Sequence, residues 1–192
     1  VLTGAGPAFC AGADLSEFKG LKDPKAAENR AELTMQLHLA FSKMITPVVT
    51  AINGAAMGGG AGLAIAGELA VMAQSAKIGY PETSHGIVAA IVMANLVRQV
   101  GPKAAFELVA LGEPIDAKRA LQLGMVNRVV TGRRLMKEAL ALAQKVAAVS
   151  RPAMAHTKSL FHEVRDLPLP AALERGRDVN LRMRNFERLG KK

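Results

Sequence analysis

With 192 residues, half of them hydrophobic, the chain has enough apolar material for one domain with a sizeable core. Its 25 basic residues outnumber 16 acidic ones for a net charge of +9, which suits phosphate-bearing partners, yet one tyrosine and no tryptophan leave few platforms for stacked nucleobases, so specific nucleic-acid binding is not expected. Membrane insertion is not expected either, because glycines, Asn53 and Glu68 interrupt the most apolar stretch well short of the roughly 20 residues of a bilayer span. A lone Cys10 forbids an internal disulfide and fits a reducing compartment.

In chain order, Val1 to Gly4 reads as a strand end, and Phe9-Cys10-Ala11-Gly12-Ala13-Asp14 as a tight loop entering a helix that Asp14 caps, with Glu17 at its third position. Residues 22–24 read as a turn. Apolar residues Leu33, Leu37, Phe41 and Met44 give residues 26–45 a helical period that stops before Pro47. A strand at 48–52 leads into a glycine-rich loop and a buried helix over about 60–67, then come short strands at 69–73 and 77–79. This alternation suggests a layered α/β core. From Pro102 onward helices are expected at 103–111, 117–123 and 136–149, with Asp116 as an N-cap and Gly112 and Gly124 as stops. A further helix runs to about residue 164, and Leu167-Pro168-Leu169-Pro170 separates it from a last amphipathic one.

The densest signal is Asn53-Gly54-Ala55-Ala56-Met57-Gly58-Gly59-Gly60-Ala61-Gly62. Five glycines there allow backbone N–H groups to approach a ligand closely, and the helix that follows aims its positive end at the same spot. Together with the loop around Gly12, two such segments could offer two amides to one oxygen. Taken singly, these glycines are also what turns and close packing require. Other chemistries find no support. Neither glycine loop fits G-x-G-x-x-G or the P-loop pattern, and His38, His85, His156 and His162 lack metal-ligand spacing.

Ala8 to Leu15, Asn53 to Leu63, Lys77-Ile78-Gly79-Tyr80-Pro81-Glu82, and Gly112 to Ala117 followed by Gly124 to Asn127 occur in an order and spacing that resemble the enoyl-CoA hydratase/isomerase (crotonase) superfamily. The resemblance implies an α/β spiral of repeated β-β-α units over residues 1–132, with its N-terminal part missing, and a C-terminal helical oligomerisation region over 133–192. It implies a homotrimer or a hexamer. The substrate would be an acyl-CoA thioester, coenzyme A entering as part of it and no cofactor being bound permanently. A cytoplasmic setting follows, or the mitochondrial matrix in a eukaryote.

By the same resemblance the amides of Ala13 and Gly59 form an oxyanion hole, with Ala11, Asp14, Gly58, Gly60, Pro81 and His85 near the substrate. Glu82 is the expected proton carrier; otherwise it is a solvated loop glutamate. The apolar run 86–93 together with Phe106 and Leu111 is expected to line an acyl pocket, and Lys158 and Phe161 to lie on a helix that approaches coenzyme A. Gly62 departs from the pattern, for hydratases with two catalytic glutamates carry the second one there. Glu68 does not replace it, because six residues of helix turn the side chain by about 240°; it reads as structural.

A single carboxylate supports double-bond migration, which is therefore the favoured activity. Hydration, in fatty-acid or branched-chain acyl-CoA breakdown, is the alternative, with Asp14, Glu17, Glu113 or residues ahead of Val1 assisting. A non-catalytic module binding acyl-CoA or RNA through its basic surface is the alternative of another class.

Overall fold

The computed structural model describes residues 1–14, 16, 17 and 23–189, the last five of them as backbone. The first six strands alternate between two four-stranded sheets; the seventh stays in the second and the eighth returns to the first. The first sheet has the order β1 (Leu2–Thr3), β3 (Val49–Ile52), β5 (Leu69–Ala73), β8 (Arg128–Val130) and is parallel throughout. The second has β2 (Ala8–Cys10), β4 (Ala55–Met57), β6 (Lys77–Gly79) and β7 (Ile115–Asp116), parallel except for the last pair. Each of the first three circuits therefore adds one strand to each sheet before a helix, which is a β-β-α spiral; in the last circuit a helix stands between β7 and β8.

The helices are α1 (Pro24–Lys43), α2 (Gly59–Ala64), α3 (Ala90–Val100), α4 (Pro102–Leu111), α5 (Ala117–Gln122), α6 (Leu135–Ala147), α7 (Arg151–Val164) and α8 (Leu169–Leu189). A 3-10 turn, Pro81–His85, follows β6. Both faces of β3 are covered, so all four of its residues are buried, as a central parallel strand requires. Ile52, Met72, Ile78, Tyr80 and Leu96 form the fully buried centre.

Side-chain amides stitch the circuits together. Asn53 accepts from the Gly4 N–H at 3.1 Å and donates to the carbonyls of Gly6 and Ala8. Asn127 accepts from the Ala70 N–H at 2.7 Å. Each bond joins backbone groups that adjoining strands would otherwise leave unpaired.

Several elements differ from the sequence expectation. Pro24 opens α1 rather than closing a turn, and the Asp23 carboxylate caps it by accepting from the Lys25 N–H at 3.0 Å. The glycine-rich run contains β4, and α2 is shorter than the expected 60–67. Strand β2 occupies the first part of the expected loop at 9–14. Of the helix expected after Asp14, Ser16 and Glu17 are helical, with Asp14 accepting from the Ser16 N–H at 2.8 Å; the remainder lies outside the described residues.

Helix α3 went unforeseen. Leu33 and Leu37 of α1 face outward, 71% and 51% exposed, while the buried residues of that helix are His38 and Phe41.

Candidate active site

Three backbone turns meet at one end of the second sheet. The chain leaves β4 at Met57 and passes through Gly58, whose φ of +54° only glycine adopts without strain. The Gly58 N–H donates to the Gly79 carbonyl at 2.8 Å, fixing this turn against the end of β6. After β6, Tyr80 is fully buried and the chain enters the 3-10 turn that carries Glu82. That turn is braced: the Thr83 hydroxyl donates to the Val109 carbonyl of α4, and the Ile87 N–H to the Glu82 carbonyl. The third turn is the Ala11-Gly12-Ala13 segment after β2.

These segments enclose a cavity of about 270 Å³. Ala11, Gly12 and Ala13 line one side, Gly58 and Gly59 another, and Pro81, Glu82 and His85 a third. Ile87 to Val92 supply the apolar wall, and Arg30 and Thr34 of α1 close the remaining side. Gly59 is the first residue of α2, so its N–H has no acceptor within the helix.

Glu82 is the acid among the described residues lining this cavity. Its Oε1 lies 3.0 Å from where a side chain on Gly58 would begin, and its Oε2 is buried with no hydrogen-bond partner among the described residues. Burial lifts its carboxyl above the usual glutamate value, while its own backbone N–H and the nearby His85 oppose that rise. A group so placed can take a proton and give it back.

The geometry thus brings together Ala11, Ala13, Gly58, Gly59, Pro81, Glu82 and His85, and it separates two other expected site residues from them. Asp14 is exposed, its carboxylate held by the Ser16 N–H and hydroxyl, and it does not line the cavity. Gly60 packs α2 onto β2: a Cβ there would sit 2.2 Å from the Cys10 carbonyl oxygen. In the apolar run, 87–92 line the cavity as expected, whereas Phe106 and Leu111 face outward, 72% and 62% exposed. Lys158 does not reach toward solvent phosphates either. It is 3% exposed, donates to the Thr46 carbonyl and pairs with Glu68 at 2.9 Å.

Glu68 is structural as expected, since its Oε2 accepts from the Val48 N–H at 2.7 Å and its Oε1 meets both Lys158 and His162.

Gly62 has a physical partner that the sequence did not suggest. A Cβ at this position would lie 2.6 Å from the His38 Cε1 and 2.6 Å from the Val92 Cγ1. The imidazole and the valine fill the space a longer side chain would need. His38 is buried, and burial lowers its pKa. Arg30, Thr34 and His38 are spaced by four, one stripe of α1 turned toward the site. That polar stripe is the signal that could have found them.

Comparison with known proteins bears directly on this geometry. A model of the enoyl-CoA hydratase/isomerase family matches residues 1–188. The chain belongs to that family. It is 43% identical over 164 residues to a Thermus thermophilus protein provisionally named enoyl-CoA hydratase, covering 84% of this chain and 64% of that protein. It is 36% identical to the 2,3-dehydroadipyl-CoA hydratase of Escherichia coli over 182 residues, covering 93% and 69% of the two chains. The crystal structure of an enoyl-CoA hydratase from Mycobacterium smegmatis superposes with a TM-score of 0.89 at 31% identity, covering 92% and 69%. The chain thus spans 64% of the length of the Thermus relative.

Among the described residues, no helix is long and apolar enough to cross a membrane.

Proposed function

We propose that this chain carries the reaction centre of an acyl-CoA enzyme that moves a double bond between the 3 and 2 positions of an enoyl thioester. The observation that carries this reading is one buried carboxylate oxygen on Glu82, without a partner among the described residues, in one cavity with Ala13 and Gly59. With the thioester oxygen held by those two amides, Glu82 removes a proton from C2, and the electron pair passes into a dienolate. The oxygen then bears the developing charge, which fixed N–H donors stabilise by roughly 3 to 4 kcal/mol each. Glu82 returns the proton at C4, leaving the 2-enoyl thioester. One base and one proton complete the cycle.

Hydration is the second reading, favoured by the names of the relatives, several of which are enoyl-CoA hydratases. It needs a second group to activate water, and the cavity offers no second carboxylate among its described lining residues. Helices dominate the described part of residues 133–192, up to Leu189, and we propose residues 133–192 as the oligomerisation part of a trimer or hexamer. The wider protein is proposed to work in the cytoplasm or an equivalent matrix compartment.

Incubation with a 3-enoyl-CoA and with crotonyl-CoA, with both products resolved by chromatography, tests the choice. Migration without water addition supports the single-carboxylate reading. Faster hydration than migration would overturn it in favour of the hydratase.

A further inference from the structure

Beyond the Glu82 cavity lies a second and larger one of about 530 Å³. Both are lined by residues of α1 and α3, and they share Ile91. On α1, Arg30 and Thr34 line the first cavity, while Met35, His38 and Leu39 line the second. On α3, residues 90–92 line the first, Ala94, Asn95 and Arg98 line the second, and Ile91 lines both. Gly62 lies at the partition between them, where His38 from the second cavity meets Val92 from the first.

We infer that this second cavity is a binding subsite for the far end of the acyl group, and that it takes an acyl chain ending in a carboxylate. The inference rests on the thioester reading of the Glu82 cavity. Seven residues separate Ile91 from Arg98, which is roughly 10 Å along the α3 axis. A four-carbon acyl group does not cover that span, whereas a medium-length chain does.

The lining has the chemistry the inference requires. It includes the apolar Met35, Leu39, Ile65 and Ile91. At the far end stand two guanidinium groups, Arg98 and Arg165, beside the neutral amides of Asn95 and Gln99. Arg98 is held in place by the Asp166 carboxylate at 2.8 Å and by the Ala94 carbonyl. The Arg165 guanidinium lies over the Phe161 ring, 5.6 Å from its centroid, an arrangement that orients a cation without neutralising it. One acid, Glu68, also lines the cavity, but its charge is met by buried Lys158 at 2.9 Å. With the Asp166 charge set against that of Arg98, the far end keeps one excess positive charge, on Arg165, and guanidinium is the group best matched to a carboxylate.

The test combines binding and turnover. Saturated acyl-CoA thioesters, which have no double bond to move, are titrated calorimetrically: a ten-carbon chain ending in methyl against one of equal length ending in carboxylate. The expected result is tighter binding of the carboxylate-terminated chain by about tenfold, falling to near parity in Arg165→Met. Equal binding of the two probes to the native protein would overturn the inference. Because Ala94 is exposed, Ala94→Trp fills the cavity without entering the core. It should lower the ratio of ten-carbon to four-carbon kcat/KM about tenfold or more, since the long chain loses its space. An unchanged ratio would also overturn the inference.

The two readings fail separately. Absence of turnover on every enoyl thioester, with discriminating binding intact, removes the proposed activity and leaves the subsite standing. Turnover with indiscriminate binding removes the subsite alone.

Discussion

Glu68 and Glu82 are two carboxylates at the margins of one core, and their surroundings are opposite. Glu68 is nearly saturated: its two oxygens meet the Val48 N–H, the Lys158 ammonium and His162, all within 2.9 Å. Glu82 has one oxygen buried without a partner among the described residues, against a glycine whose missing side chain leaves room for it. A carboxylate held by three partners is a fastening, with no oxygen left over for a substrate. One buried beside empty space is poised to exchange its proton with whatever occupies that space. The same residue type thus holds the C-terminal helices to the core in one place and offers reactivity in the other.

The comparison makes opposite predictions for the two acids, and the largest effect is expected at Glu82. Replacing it with glutamine should lower kcat for double-bond migration by about 10²- to 10⁴-fold while leaving affinity for a saturated acyl-CoA within about tenfold, as calorimetry would reveal. Turnover at the native rate would remove Glu82 from its role. On the other side, Lys158→Met leaves the Glu68 charge without its main partner in a site where the lysine side chain is 2% exposed. Such a loss typically costs about 3–5 kcal/mol, which for a chain of this size lowers Tm by about 6–20 °C. The kcat of the protein that remains folded should change little. If Lys158→Met instead left Tm unaltered and abolished turnover, the division between a fastening acid and a reactive acid would be wrong.

Gly58 offers a sharper probe of the reactive side. Alanine there must adopt a positive φ and places its Cβ 3.0 Å from the Glu82 Oε1, so the carboxylate has to move. Backbone strain of roughly 1–3 kcal/mol should appear as a modest fall in Tm, and a displaced base as a loss of about 100-fold in kcat. A crystal structure of the variant with Glu82 unmoved and activity intact would show that the close approach is incidental.

How much of this was legible in the sequence follows the distance over which each feature is encoded. Strands β5 and β6 were placed at 69–73 and 77–79, where they lie, and the cap at Asp116 accepts from the Arg119 N–H as expected. Those signals are local, carried by apolar runs and by one capping side chain. Helix α3 escaped because the apolar run 86–93 was read as pocket lining: Ile91 does line a cavity, but Val92 and Leu96 of the same helix point into the core. The turn carrying Glu82 was legible through the family resemblance, whereas the filling of the Gly62 space by His38 joins residues 24 positions apart and has no local trace. The burial of Lys158 against the Thr46 carbonyl spans 112 positions and was misread for the same reason. A lysine on an amphipathic helix looks the same in sequence whether it faces water or a buried glutamate.

The smallest expected effect tests the environment of Glu82 itself. Burial raises its pKa above the ordinary glutamate value of 4.5. The base form is needed to take a proton, so kcat/KM should fall on acidification with a midpoint above that value. Stability carries the complementary sign. A group that binds its proton more tightly when folded stabilises the fold while protonated, and that contribution is lost as pH rises through the folded pKa. In Glu82→Gln no proton is released, so the variant should match the native protein in Tm at low pH and exceed it once Glu82 has ionised. Thermal unfolding of both proteins across the range from acid to neutral measures the difference directly. A native protein that gains stability relative to the variant as pH rises would mean that Glu82 is held in place as an anion, and that it is a fastening rather than a reactive acid.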